Sequence, residues 1–268
     1  MNTSQDWDVI WKWHWFRRQL WQPHFRDPEH PEGRHARRLP VWVEVLRKYN
    51  ARRVLDANCG LGLRTILLAK AGFDVTGTDI SPTAVTHAKE LAQAEGVPLS
   101  FDARPWSALK ELAERDFDAV LTDAMPWVRS YEELFDAFRN FAATLRPGGV
   151  FVFTGIDEWT TSEDRLRRAE HAWKSCPRFQ IRANYGHGGT HMTLVVARDR
   201  EGLAIVENFL FVIHQNGTAH LETAEIRSTL EWSWADLQQA SVEAGFQSLS
   251  TIRVTVAGRD HHVNVALK

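Results

Sequence analysis

The stretch RVLDANCGLGLRTILLAKAGFDVTGTDIS, residues Arg53–Ser81, decides the fold. Val54-Leu55-Asp56 reads as the end of a short apolar strand, and Ala57-Asn58-Cys59-Gly60-Leu61-Gly62 as a tight loop. Leu63, Ile66, Leu67 and Ala69 then follow at helical spacing until Ala71-Gly72-Phe73 stops the helix. Asp74–Thr78 predicts a second strand, with Asp79 at its end. Strand, glycine loop, helix, strand and terminal acid within about 30 residues is the layout of a site for an adenosine ligand. Glycines let the backbone approach the ligand and the helix N-terminus supplies a positive dipole end. The terminal acid can accept both ribose hydroxyls.

Spacing narrows the ligand. A dinucleotide fingerprint needs G-x-G-x-x-G, but Gly60 and Gly62 are followed by Arg64-Thr65 where the third glycine is required. Asp56, ahead of the loop, suits a cofactor with a cationic amino group better than one with a pyrophosphate. The stretch resembles motif I of the class I S-adenosylmethionine-dependent methyltransferases, an acid followed by G-x-G-x-G. Asn58 stands where that motif has its first glycine, and Asn tolerates left-handed backbone angles.

Composition agrees with a soluble enzyme. The chain has 268 residues, 44% hydrophobic and 25% charged, which predicts one large domain or one domain with an insertion. A net charge of −2 supplies no basic field for nucleic acid or anionic lipid. Cys59 and Cys176 make no disulfide framework, so reduced thiols and a cytoplasmic location are expected. No signal-peptide pattern and no apolar run of about 18 residues is present, so no membrane partner is expected. A homo-oligomer stays open.

Residues 1–33 form a Trp-rich N-terminal segment. Trp7, Trp11 and Trp15 recur at helical spacing, although Trp11, Trp13 and Trp15 also alternate as in a strand. Residues 22–33 hold three prolines and read as a loop or hinge. The segment is a candidate lid over the site, a dimer contact or a cover for the core. A helix is predicted from about Arg37 to Tyr49, with Pro40 in its first turn. Ser81-Pro82 starts another helix, Pro98–Phe101 and Phe117–Thr122 are strands, Tyr131–Leu145 is a helix and Val150–Thr154 a fifth strand. This alternation predicts a doubly wound, mostly parallel sheet, with ligands outside the strands' carboxyl ends.

After Ser162–Lys174, which reads helical, the pattern becomes antiparallel. Phe179–Arg182, His191–Ala197, Ala204–His214 and Ala219–Trp232 are strand-like, with Gly188-Gly189 and Asn216-Gly217 as turns. Trp234–Ala244 is helical, and a hairpin, Val254–Val265, is expected to form the antiparallel edge of the main sheet. Residues 176–232 are thus a β insertion forming a lid on a domain of residues 34–268, whose sheet is expected to have seven strands.

The resemblance extends over about Arg34–Gly155, including Phe117-Asp118-Ala119-Val120 and Leu145-Arg146-Pro147-Gly148-Gly149. It implies S-adenosyl-L-methionine as cofactor. Asp79, with Ile80 beside it, would hold the ribose; Gly60 and Gly62 would let the loop approach; Asp56 would meet the ammonium or organise the loop with Asn58. Arg104 and Trp106 fall where such enzymes bracket the adenine, and Thr122 follows at the end of the fourth strand. Val54–Ser81, above all its Ala71–Ser81 part, and Ala103–Trp106 resemble the glycine N-methyltransferase branch in particular. Its carboxylate-binding arginine, 22 residues ahead of the motif I acid, corresponds to Arg34 (56 − 34).

Departures bear on the acceptor. Where that branch has an arginine for the substrate carboxylate, this chain has Thr154-Gly155-Ile156-Asp157-Glu158, which points to a cationic or carboxylate-free substrate. Candidate groups for chemistry are Asp123 and Trp127 after the fourth strand, and His187, His191 and His214 in the insertion. Their spacing gives no metal site. Methylation of a small molecule, at nitrogen before oxygen, is the reading these residues carry. The alternatives are an aminopropyltransferase with a decarboxylated cofactor and a cofactor-binding protein without turnover.

Overall fold

A computed structural model describes residues 3–19 and 33–268. The proline-rich hinge therefore lies, except for Gly33, outside the described residues. Two helices come first, α1 (Ser4–Gln19) and α2 (Arg34–Lys48). The alternating region follows as β1 (Arg53–Asp56), α3 (Leu63–Lys70), β2 (Asp74–Asp79), α4 (Pro82–Ala94), β3 (Ser100–Ala103), β4 (Phe117–Thr122), α5 (Tyr131–Thr144) and β5 (Leu145–Phe153). After α6 (Ser162–Lys174) come β6 (Phe179–His187), β7 (Thr190–Glu201), β8 (Ala204–Gln215) and β9 (Thr218–Thr229). The chain returns through α7 (Trp234–Glu243) to β10 (Ser248–Val256) and β11 (Arg259–Leu267).

Local signals set the ends of these elements. Ser81 caps α4 by accepting from the Ala84 N–H at 3.0 Å, with Pro82 as first helical residue. Thr161 and Asp164 close a capping box on α6, as Ser233 and Asp236 do on α7. The Asn216-Gly217 turn has both residues in the left-handed region, φ 53° and 74°, as a two-residue hairpin requires. Ala257-Gly258 repeats that geometry at φ 49° and 74°, although Ala is a poor left-handed residue.

The seven-stranded sheet has the order β3-β2-β1-β4-β5-β11-β10, and only β11 runs against the rest. Val54 packs with α2 residues Val41, Trp42, Val45 and Leu46 on one face; Leu55 packs with Phe138, Phe141, Phe151 and Phe153 on the other. Apolar runs buried on both faces are what parallel strands between helix layers require. The four-stranded sheet is the antiparallel meander β6-β7-β8-β9. Its inner face, with Met192, Leu194, Phe209, Phe211 and Ile213, packs on Ile10 and Trp13 of α1 and reaches Trp127.

Several expectations need correction. Helix α2 begins at Arg34, a turn earlier than about Arg37, and Pro40 lies inside it. Residues Trp106–Arg115 form an unforeseen 3₁₀ helix. The closing hairpin, by contrast, forms the antiparallel edge of the main sheet as expected, with β11 beside β5 and β10 outermost. Asn58 is not among the left-handed residues, so tolerance of φ > 0 is not what it contributes.

Candidate active site

The turn after β1 carries a glycine at each of two strained points, and their tasks differ. Gly60 has φ 53°, and a Cβ there would come within 2.7 Å of the Trp11 ring, so the glycine admits an indole from α1. Gly62 has φ 77° at the start of α3, and its Cβ would meet Ala88 Cβ at 2.9 Å and the Phe101 ring at 3.1 Å. Close packing of α3 on α4 is therefore what Gly62 provides, and it does not line the cavity.

That cavity, of about 280 Å³, opens at the carboxyl ends of β1, β2, β4 and β5. Asp79 stands in its wall, 7% exposed. Its Oδ2 accepts from the Gly60 N–H at 2.8 Å and its Oδ1 from the Ser81 N–H at 3.0 Å. A carboxylate has about four acceptor positions, so one remains on each oxygen. Burial raises the carboxyl to about 6; those two N–H groups pull it down, while the charges of Asp56 and Asp8 push it up. Ile80, Leu61, Leu63 and Cys59 flank it in the lining. Burial, then the charges of Asp79 and Asp56, hold the Cys59 thiol well above its ordinary range.

Asp56 stands behind this wall. Fully buried, it accepts from Arg64 Nη2 at 2.5 Å and from the Thr65 hydroxyl at 2.8 Å. Arg64 also donates to Asn58 Oδ1 at 2.7 Å, lies 3.4 Å from Asp123 and stacks over Trp42 at 5.6 Å. Asn58 Nδ2 donates to Asp123 at 2.6 Å, and Asn58 Oδ1 accepts from the Thr122 hydroxyl at 2.9 Å. Asn58 thus works through its side chain, cross-linking the ends of β1 and β4. Burial opposes ionisation of Asp123, but Arg64, Asn58, His35 and Arg34 outweigh it and hold the carboxyl well below its ordinary range. Of this network only Asn58 and Asp123 line the cavity; Asp56, Arg64 and Thr122 sit behind it.

Trp106 lines the cavity while its Nε1–H donates to the Ala57 carbonyl at 2.6 Å and its ring meets Phe141 edge-on at 5.0 Å. Arg104 lies off the cavity, engaged by Asp102 and Glu111. The first turn of α2 presents Arg34, His35 and Arg38 to the cavity. Opposite them stand Ala124, Trp127 and Thr154, and α1 adds Trp7 and Trp11. The Trp7 ring lies 4.6 Å from that of Trp127 and 6.3 Å from that of Trp11, an apolar wall of three indoles.

Other sequence candidates fall elsewhere. His187, His191 and His214 are exposed on the meander, His191 opposite His214 across β7 and β8, and none reaches the cavity. Asp157 is bound to Thr160 at 2.6 Å and to His262 at 3.2 Å, and neither it nor Glu158 lines the cavity. A cationic acceptor held by those two acids is therefore not what this geometry offers. Sequence reasoning missed His35 and Arg38; with α2 started at Arg34, the i, i+4 spacing would have put Arg38 on the face of Arg34, whereas His35 carries no such signal.

Residues 54–149 match the family described as Methyltransferase domain. A ubiquinone biosynthesis O-methyltransferase of Methylobacterium sp. (strain 4-46) is 34% identical over 124 residues, 46% of this chain and 47% of that protein. The corresponding enzyme of Coxiella burnetii (strain Dugway 5J108-111) is 29% identical over 116 residues, 43% of this chain and 48% of that protein. The chain thus spans about half the length of the curated relatives it matches. Among solved structures, a sugar N-methyltransferase from Streptoalloteichus sp ATCC 53650 has a TM-score of 0.64 at 20% identity, covering 87% of each chain. An S-adenosylmethionine-bound amino pentose methyltransferase from Micromonospora echinaspora has a TM-score of 0.53 at 18% identity, covering 87% of this chain and 91% of the other. Residues 54–149 are thus similar to a methyltransferase domain, and the fold of the chain is that of solved methyltransferases.

Proposed function

We propose that this chain transfers a methyl group from S-adenosylmethionine to an amine nitrogen of a small molecule. The observation that carries the reading is Asp79: a buried carboxylate, held by two backbone N–H groups, with an acceptor position free on each oxygen. Two neighbouring ribose hydroxyls fit that pair of positions. Flanking Ile80 and Leu61 suit an adenine edge, and Trp106 adds an aromatic surface. Arg34 is a cation for the methionine carboxylate, and Asp123 with Asn58 an anionic end for its ammonium. A decarboxylated cofactor would give Arg34, whose Nε donates to His35 Nε2 at 3.4 Å, no carboxylate to bind, which speaks against aminopropyl transfer.

When bound, the cofactor supplies an electrophilic methyl group on a sulfonium. The protein's task is alignment, exclusion of water and disposal of a proton. Trp7, Trp11 and Trp127 wall off the cavity, and indole faces attract an amine's cationic form by about 0.5–2 kcal/mol. Elimination identifies the proton acceptor. Asp79 is occupied, Asp123 is held ionised as a weak base, Cys59 is held as a thiol, and arginines stay charged. His35 is the remaining lining group; its Nε2 accepts from Arg34 Nε at 3.4 Å, and imidazole is the side chain suited to proton exchange near neutrality. With cofactor and acceptor bound, Trp7, Trp11 and Trp127 would keep water from the methyl group, and His35 would take the proton that the acceptor nitrogen gives up on methylation.

Helix α1 serves as a closing element and the meander as the layer that it closes against. The cavity's volume, near the lower end of about 300–1,000 Å³ for ligand sites, implies that α1 shifts to admit cofactor and acceptor. Calorimetry with S-adenosylhomocysteine tests the cofactor, and trideuteromethyl-labelled cofactor with amino sugars, arylamines and phenols tests the acceptor. Labelled N-methyl products support the proposal. Labelled phenols alone move it to oxygen, and binding without turnover on any acceptor moves it to a cofactor-binding protein.

A further inference from the structure

The two backbone donors that hold Asp79 are each backed by a residue of α1. Trp11 lies against Gly60, where a Cβ would strike its ring. Asp8 accepts from the Ser81 hydroxyl and, at 3.0 Å, from the Thr83 N–H. Its carboxylate therefore sits on the N-terminus of α4, where free N–H groups and the helix dipole favour an anion. Ser4 extends the contact by donating to the Ile80 carbonyl at 2.9 Å. Farther along, Trp15 stacks on His87 of α4 at 4.5 Å. The opposite side of α1 is bound to the meander, since Lys12 and Trp13 donate to Glu222 at 2.6 and 2.8 Å and Asp6 accepts from the Glu225 N–H at 3.0 Å. One helix thus spans from the acid of the cofactor site to the sheet beyond, and carries Trp7 of the acceptor wall between them.

We propose that Asp8 is a positioning residue for the cofactor: by holding Ser81 it fixes the Asp79 carboxylate, and so ties docking of α1 to cofactor binding. This rests on the methyltransferase reading above. The chain Asp8–Ser81–Asp79 contains three groups and two hydrogen bonds, the Ser81 hydroxyl to Asp8 and the Ser81 N–H to Asp79. Asp8 does not line the cavity, so its influence must pass through Ser81. It also acts through space. The charged or titratable groups facing Asp79 are Asp56 from β1, Cys59 from the loop, Asp8 from α1, and Arg34, His35, Arg38 and Asp123 across the cavity. Asp8 is one of the two whose negative charge raises the Asp79 carboxyl.

Calorimetric titration with S-adenosylhomocysteine between about pH 5 and 8 separates these roles, in the native chain, Asp8→Ala and Asp8→Asn. Asp8→Ala loses both hydrogen bonds and should bind about tenfold more weakly at neutral pH. Asp8→Asn keeps an acceptor oxygen and should stay within about threefold of native. Having lost the charge, it should hold its affinity to a lower pH than native before the acid loss sets in. Affinity in Asp8→Ala within about twofold of native would overturn the proposal, as would an acid midpoint in Asp8→Asn that is unmoved or higher. Should Asp8→Ala fail to fold, the midpoint in Asp8→Asn decides alone. Failure of the native chain to bind S-adenosylhomocysteine at any pH would instead sink the methyltransferase reading itself.

Discussion

Asp79→Asn is expected to make the protein more stable and a worse binder at once. In the fold the Asp79 carboxyl titrates near 6, raised first by burial, against an ordinary 3.8. A gap of that size corresponds to about 3 kcal/mol as an upper figure. Between these values the native state keeps a proton that the unfolded chain has released, so this group's contribution to stability falls as pH rises from about 4 to about 6. Asparagine resembles the protonated acid in shape and has no such transition. Its oxygen still accepts an N–H from Gly60 or Ser81, so the loop is retained. Relative to native, Asp79→Asn should therefore gain up to about 3 kcal/mol on going from pH 4 to pH 7.5. The amide offers the ribose at most one acceptor, so cofactor affinity should drop by about 1–3 kcal/mol, roughly 5- to 150-fold. Urea unfolding followed by tryptophan fluorescence at both pH values gives the first quantity, and calorimetry with S-adenosylhomocysteine the second. All other carboxyls are shared by the two proteins and cancel in the difference. A variant whose stability follows the native pH profile would show that Asp79 is not strained, and one that binds as tightly as native would show that it is not a ligand.

Gly62→Val should lower stability by more than about 2 kcal/mol, because its Cβ meets Ala88 and Phe101 at φ 77°; a melting curve like native's would refute it. Arg34→Ala should weaken S-adenosylmethionine binding more than that of its decarboxylated analogue, and equal losses measured by calorimetry would remove the carboxylate contact. His35→Gln should slow turnover by about 10²-fold while S-adenosylhomocysteine affinity stays within about twofold; loss of affinity with unchanged turnover would assign His35 to binding. Ala257→Asn should raise stability by about 1 kcal/mol, since Asn accepts left-handed angles more readily than Ala at φ 49°; chemical denaturation checks it.

The region from β1 to Asp79 was legible because every signal there is local: an acid, two glycines, a helix stopped at Ala71-Gly72 and a second acid within one unit. The meander was legible for the same reason, its hairpin turns being written in Asn-Gly and Gly-Gly pairs. Helix α1 was favoured on length, but its periodicity also allowed a strand, because it is buried from more than one side. Ile10 and Trp13 face the meander, Trp7 and Trp11 the cavity, and Trp15 lies on His87. A helix apolar on several faces has no single stripe to read. Arg38 escaped because α2 was started one turn late: Gly33 caps it without a side chain, and Pro40 invited a first-turn placement. Arg104 was expected at the adenine, yet Glu111, in the unforeseen 3₁₀ helix, draws its guanidinium away. Partners distant in sequence decide such cases, and periodicity carries no record of them.

The position of β11 governs the order in which the molecule can assemble. Phe153 of β5 pairs with Asn264 of β11, so joining them closes a loop of more than a hundred residues (264 − 153 = 111). Each meander strand, by contrast, pairs with its immediate successor through a short turn. Loop-closure entropy therefore favours the meander zipping up while β5 still presents a bare edge. That edge, backed by Phe151 and Phe153, is the surface on which unfinished or destabilised chains would stick to one another. Residues 259–267 thus act as a late-arriving keystone strand, and mutations that loosen the last hairpin should show up as insoluble protein before they show up as lost cofactor affinity.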